Sequence, residues 1–230
     1  MIPASEALQR LQAGNRRFVA NLDAGAGARP SPAAPHGTDL AEQRPFAIVL
    51  GCSDARVPAE LIFDVGLGDL FVIRVAGNIV APSLVGSVEF AASRFDTKLV
   101  VVLGHTRCGA IAATLEDLQD PAGPHSPNLR DIVERVRPAI ADVVTACAVT
   151  GCDPEELARR AVRANIRYAV DHLRHDSALI ERLIRDEGVL VVGAEYALET
   201  GVVTFLDEGH DDSPAAGRNA GPDAAATTAG

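Results

Sequence analysis

Of the four Cys and six His in this sequence, Cys52, His105 and Cys108 form the candidate set for binding a transition metal. His105 and Cys108 form a His-x-x-Cys pair within Gly104-His105-Thr106-Arg107-Cys108-Gly109, and Cys52 stands well upstream. A Cys₂His set gives a tetrahedral zinc three protein ligands and leaves the fourth position open, as in catalytic sites. A structural site normally closes with a fourth Cys or His. The remaining cysteines, Cys147 and Cys152, make no close Cys-x-x-Cys pair. The alternative is that Cys52, His105 and Cys108 are ordinary buried residues, since free Cys is among the most buried types. Spacing alone leaves both readings open.

The residues after Cys52 add a second kind of chemistry. Ser53-Asp54-Ala55-Arg56 places a carboxylate and a guanidinium two residues apart beside the candidate ligand. An Arg next to an Asp holds it ionised and, when the pairing is bidentate, fixes its orientation. Such a carboxylate can accept a hydrogen bond from a nucleophile at the metal; the plain alternative is a surface ion pair or a turn. Cys147 and Cys152, five residues apart, match no redox motif and are expected to be inert free thiols. His172 and His175 are expected on a solvated helix face. Gly66-Leu67-Gly68 lacks the third glycine of a dinucleotide fingerprint and precedes a strand rather than following one.

These groups need elements to position them. Apolar runs predict strands at Phe46–Leu50, Leu70–Val75, Lys98–Leu103, Val189–Val192 and Val202–Leu206. The third run is continuous, as expected for a strand buried on both faces. Helical patterns fall at Ser5–Asn21, with Ser5 as N-cap, and at Pro82–Arg94, Cys108–Leu118, Leu129–Ala146, Pro154–His175 and Ser177–Asp186. Strands alternating with helices predict an α/β fold with a mainly parallel central sheet flanked by helices. Ligands in such sheets gather at the carboxyl ends of strands, which is where Cys52, His105 and Cys108 fall. The expected organisation is an N-terminal helical arm over 1–22, a Pro/Ala/Gly-rich linker over 23–38, an α/β domain over 39–206 that holds the candidate ligands and a disordered C-terminal tail over 207–230.

Composition narrows the function classes. The 230 residues carry 31 acids against 21 bases, a net charge of −10. That balance disfavours a general nucleic-acid or anionic-membrane binder, which needs a basic surface. The tail from Asp207 accounts for five acids and one Arg, so the charge says little about substrate. No apolar run approaches the roughly 18 residues of a membrane span, and the N-terminus lacks a secretory h-region. Four cysteines are too few for a disulfide scaffold and point to a reducing, cytoplasmic setting.

Four segments taken together resemble the β-class carbonic anhydrases. They are Cys52-Ser53-Asp54-Ala55-Arg56, Gly68-Asp69-Leu70-Phe71-Val72-Ile73-Arg74, Ala76-Gly77-Asn78 and Gly104-His105-x-x-Cys108-Gly109. The similarity runs from about Ser5 to Leu206 and implies one Zn²⁺ per subunit, held by Cys52, His105 and Cys108. It implies that Asp54 and Arg56 orient a zinc-bound hydroxide that attacks CO₂, giving bicarbonate and a proton. Gln43 matches a bicarbonate-binding residue and Phe71 a CO₂-pocket residue, both contributed by a neighbouring subunit. Gly109 matches the glycine whose N–H faces substrate, while Ala76 and Phe90 stand at pocket positions usually occupied by Val and Tyr. The implied assembly is a homodimer or homotetramer. A bicarbonate regulatory site found in some members is expected to be absent, because Val49 stands where a Trp would accompany Arg74 and Tyr196. Hydrolysis of carbonyl sulfide or carbon disulfide on the same zinc, or a non-catalytic zinc-binding interaction module, are the other functions the ligand set allows.

Overall fold

The computed structural model describes residues 2–25, 43–120 and 126–206. Most of the expected linker and all of the expected tail lie outside the described residues. Strands β1 (Ala47–Cys52), β2 (Leu70–Val75), β3 (Leu99–His105) and β4 (Leu190–Tyr196) run parallel in the order β2-β1-β3-β4. Strand β5 (Val203–Leu206) pairs antiparallel with the outer side of β4. The mainly parallel α/β sheet is therefore the observed architecture.

The helices are α1 (Ala4–Asp23), α2 (Ala59–Ile62), α3 (Pro82–Phe95), α4 (Gly109–Gln119), α5 (Pro127–Thr150), α6 (Pro154–His175) and α7 (Ala178–Glu187). The continuous apolar runs of β1 and β3 conceal a period of two. Ile48, Leu50, Val100, Val102 and Val191 face the layer built from α3 to α7. Ala47, Val49, Leu99, Val101, Leu103 and Ala194 face the smaller layer of α1 and α2. Each face is apolar, so period-two alternation shows no polar partner and the runs read as uniformly buried.

Helix α1 closes one face of its own domain through Ala7, Leu11 and Phe18. It lies so close that a Cβ on Gly14 would come within 1.8 Å of the Phe63 carbonyl oxygen. Buried Asn15 fastens it, donating to the carbonyls of Ile62 and Gly201 and accepting from the Val203 N–H. The expected Ser5 cap is not found: the helix starts one residue earlier, after Pro3, with no side-chain cap. Side-chain caps are found at the starts of three later helices. Ser126, Asp153 and Ser177 accept from Leu129 N–H, Glu156 N–H and Ile180 N–H at the starts of α5, α6 and α7. Among the described residues no helix is long and apolar enough to cross a membrane.

One expectation is overturned. Cys147 and Cys152 are joined in a disulfide, with Cα atoms 5.0 Å apart, while Cys52 and Cys108 are free. The cause is the reversal between two helices. Gly151 takes φ 76° and ends α5, and the chain folds back into α6, so the cysteines flanking the turn meet. A spacing of five has no significance along either helix and gains it only from that turn. The argument for a reducing compartment correspondingly rests on fewer free thiols. Closing so short a loop is worth about 2 kcal/mol in the chain-entropy picture. The Cys147→Ala/Cys152→Ala protein is accordingly expected to unfold at lower denaturant concentration, by an amount corresponding to at least that loss. An unchanged midpoint would show that the bond does not form in solution.

Candidate metal centre

The strand order itself selects the site. From β1 the chain crosses to β2 on one side, and from β3 it crosses to β4 on the other. The carboxyl ends of β1 and β3 thus flank the point where connections diverge and open a crevice. Cys52 is the last residue of β1 and His105 the last of β3. Beyond His105, Cys108 precedes the first turn of α4. The connecting turn needs Arg107 at φ 55°, a left-handed conformation that a non-glycine residue adopts only when held there. Glu199, beyond β4, supplies the hold by accepting from Thr106 Oγ1 at 2.8 Å and Arg107 Nε at 2.7 Å. The Thr106 hydroxyl in turn accepts from Leu198 N–H.

The ligand-type atoms of Cys52, His105 and Cys108 all lie within 4.8 Å of one another, and all three residues are buried. The two Sγ atoms are 4.0 Å apart, close to the roughly 3.8 Å that two thiolates at about 2.3 Å would show on a tetrahedral zinc. His105 Nδ1 is 2.8 Å from the Thr106 carbonyl oxygen. A carbonyl can only accept, so Nδ1 carries the proton and Nε2 presents its lone pair. That Nε2 is buried and has no hydrogen-bond partner. An orphaned buried nitrogen, oriented by a carbonyl through its other ring nitrogen and beside two thiols, is what a metal-binding His requires. The residues present therefore fit a metal ion.

The electrostatics agree. The hydrogen bond from Cys108 pulls the Cys52 thiol well down from its ordinary value, against its burial. The same contact, with burial, pushes Cys108 up, so the pair shares one proton, which a bound cation would displace to solvent. Burial lowers the His105 pKa, but the negative charge that builds on the adjacent Cys52 sulfur outweighs this and leaves it raised. Around Cys52 the backbone is clamped. Arg74 donates to the carbonyls of Cys52 and Asp54 at 3.1 and 2.6 Å, and Gly77 N–H points at Cys52 Sγ at 3.4 Å.

Asp54 and Arg56 form the expected bidentate pair, Nε to Oδ1 at 2.9 Å and Nη2 to Oδ2 at 2.7 Å. The Arg56 backbone N–H also donates to Oδ1. These bonds hold the Asp54 carboxyl well below the usual carboxylate range, the Arg56 side chain being the largest cause. Asp54 Oδ2 lies 4.0 Å from His105 Nε2, at the edge of the ligand cluster. Gly109 opens α4 beside Cys108, is exposed, and has nothing within 4 Å of where a Cβ would stand. Ala76 is half-buried in the turn Ala76–Asn78 that follows β2.

Three of the expected pocket residues do not reach this centre within one chain. Phe71 pairs with Ile48, whereas Cys52 pairs with Val75. Phe71 therefore sits four residues, about 13 Å, back along the sheet. Gln43 is exposed and precedes β1, beyond the strand's opposite end. Phe90, 54% exposed, stacks with Phe71 and Phe95 at centroid distances of 6.2 and 5.7 Å. Sequence reasoning did not find the roles of Glu199, Gly77 and Asn165 around the ligands. Each acts across at least 25 residues: Glu199 and Asn165 through lone polar side chains that carry no motif, and Gly77 through a backbone N–H whose target its motif does not reveal.

Residues 47–203 match the protein-family model described as carbonic anhydrase. The chain is 37% identical over 202 residues to carbonic anhydrase 2 of Mycobacterium tuberculosis, covering 87% of this chain and 92% of that one. It is 47% identical over 135 residues to the carbonic anhydrase of Mycolicibacterium smegmatis, covering 58% and 63%. Its fold is similar to a tetrameric β-carbonic anhydrase of Sordaria macrospora at TM-score 0.65 and 25% identity, covering 72% of this chain and 82% of that one. Cys52, His105 and Cys108 all fall within the matched region, and the chain belongs to the β-class carbonic anhydrase family.

Proposed function

We propose that the protein hydrates CO₂ reversibly to bicarbonate and a proton at one zinc ion per subunit, held by Cys52, His105 and Cys108. The observation that carries this reading is the buried, partnerless His105 Nε2 set beside two thiols, with an arginine-clamped carboxylate 4.0 Å away. Zinc at a three-ligand site supplies Lewis acidity and makes a bound water acidic enough to attack near neutral pH, as it does in carbonic anhydrases whose zinc is held by three His. Asp54, ionised throughout the neutral range, accepts a hydrogen bond from the attacking water and so aims its free lone pair at the substrate carbon. Arg56 occupies both carboxylate oxygens and keeps Asp54 from turning onto the ligands. Gly109 N–H, exposed at the start of α4, donates to the oxygen that gains negative charge. With two thiolates the centre carries less positive charge than a three-His site, so hydration is expected to rise toward alkaline pH.

Gln43 and Phe71 complete the pocket from a second copy of the chain, since neither reaches the centre of its own. Size-exclusion chromatography with light scattering is expected to show a homodimer or homotetramer under assay conditions; a fully active monomer would overturn the shared pocket. The function itself is tested by zinc analysis together with stopped-flow CO₂ hydration. About one zinc per chain and a rate rising with pH are expected. Full zinc with no CO₂ turnover, or faster turnover of carbonyl sulfide, would overturn the assignment.

A further inference from the structure

The turn Ala76–Asn78 carries two consecutive residues in the left-handed region, Gly77 at φ 73° and Asn78 at φ 43°. Gly77 takes this conformation freely, but Asn78 does so at some cost, so a hold from outside the turn helps to fix it. Gly77 has little room to adjust: a Cβ there would stand 2.9 Å from Ala110 Cβ. Asn78 cannot serve as the anchor through its amide, because its Nδ2 is buried without a hydrogen-bond partner. The outside hold comes from α6. Asn165, 2% exposed, donates from Nδ2 to the Gly77 carbonyl at 2.8 Å across 88 residues of sequence. On the other side of the same residue, Gly77 N–H points at Cys52 Sγ at 3.4 Å.

We propose that Asn165 is a positioning residue for the metal centre: it fixes the Gly77 turn, and the turn holds an N–H donor on the Cys52 sulfur. The inference rests on the reading of Cys52, His105 and Cys108 as metal ligands. Both peptide planes of Gly77 are engaged, one by Asn165 and one by the sulfur, so the two bonds are linked through a single residue's φ and ψ. An N–H donor on a thiolate draws charge away from sulfur, which lessens its donation to a bound metal and leaves the metal the stronger Lewis acid. Partners in this outer layer typically change metal affinity or activity by about 10–100-fold when removed. Placing the donor on a loop and its anchor on a helix gives a role to the one polar side chain among the buried residues of α6, the others being Ala161, Val162, Ile166, Ala169, Val170 and Leu173.

The test is to load the wild type and Asn165→Leu with Co²⁺ and to record the thiolate-to-cobalt charge-transfer band and the affinity for Co²⁺ and Zn²⁺ by chelator competition. Asn165→Leu keeps the branched shape and the number of side-chain heavy atoms and removes the donor. It is expected to move the band to lower energy, to change zinc affinity by about 10-fold or more, and to lower kcat for CO₂ hydration with little change in KM. Asn165→Ser, smaller and still polar, serves if the leucine protein does not fold, and is expected to shift the band in the same direction. Leu173→Ala is the control for general destabilisation. Leu173 is fully buried on the same helix, and its loss is expected to lower stability while leaving the band in place. A band and zinc affinity unchanged in both Asn165 variants would overturn the proposal, as would an equal shift in Leu173→Ala. Wild-type protein giving no thiolate-to-cobalt band would instead sink the ligand assignment, an outcome distinct from the other two.

Discussion

Replacing Cys108 with alanine is expected to abolish zinc binding and to cut CO₂ hydration by at least about 10³-fold. Cys108 is 4% exposed, and its sulfur is 4.0 Å from the only other free thiol sulfur among the described residues. Its removal leaves one thiol and one imidazole, too few to hold a divalent ion against dilution. The fold does not depend on this side chain in the same way. Cys108 makes no side-chain cap to α4, and the strands on either side are held by ladders along their lengths. Circular dichroism of Cys108→Ala should therefore stay close to wild type while metal content falls to background. The matched control is Cys147→Ala/Cys152→Ala, which removes as many sulfur atoms as the whole ligand set contains but should retain about one zinc per chain. Stoichiometric zinc and wild-type turnover in Cys108→Ala would refute the metal centre.

The parts of this architecture visible in the sequence are those that repeat along the chain, and the parts that are invisible act once. The apolar runs of β1 and β3 mark two central strands, yet the runs end at Leu50 and Leu103 while the strands continue to Cys52 and His105. Apolar patterning stops where the chemistry starts, and a glycine intervenes each time. Gly104 is glycine for a packing reason: a Cβ there would stand 2.6 Å from Ile166. Cys52, His105, Cys108, Asp54 and Arg56 were legible because ligand types and short motifs survive in one dimension. Glu199 and Asn165 were not, since a Glu in a turn and an Asn in an amphipathic helix look like surface residues until the fold brings them 2.7 to 2.8 Å from their partners. The disulfide was missed for the same reason. Helix α5 also runs beyond the expected Leu129–Ala146, from the Ser126 cap to the left-handed Gly151, and that extension delivers Cys147 to the turn.

The Arg56→Ala protein is expected to lose about 10²-fold in kcat/KM while keeping its full zinc content. The separation of those two readouts follows from geometry. Arg56 contacts none of Cys52, His105 or Cys108 through its hydrogen bonds; it binds Asp54, with Nε and Nη2 on the two carboxylate oxygens. Removing it frees Asp54, whose Oδ2 is already 4.0 Å from His105 Nε2, to turn toward the ligands. That movement adds a donor to the metal site rather than subtracting one, so zinc is retained. The loss is one of orientation and access, and the sign of the pKa shift shows that it is not one of charge. Arg56 holds the Asp54 carboxyl below the ordinary range; without it the carboxyl returns toward about 3.9 and is still ionised at pH 7. The deficit relative to wild type at the same pH therefore should persist when the assay pH is raised by one unit. Arg56→Lys separates charge from shape: lysine restores the positive charge but not the planar fork, and is expected to recover less than about a tenth of the lost rate. Zinc analysis with stopped-flow hydration at pH 7 and 8 reads every outcome. Wild-type turnover in Arg56→Lys would mean that charge alone suffices and that the bidentate clamp has no catalytic role.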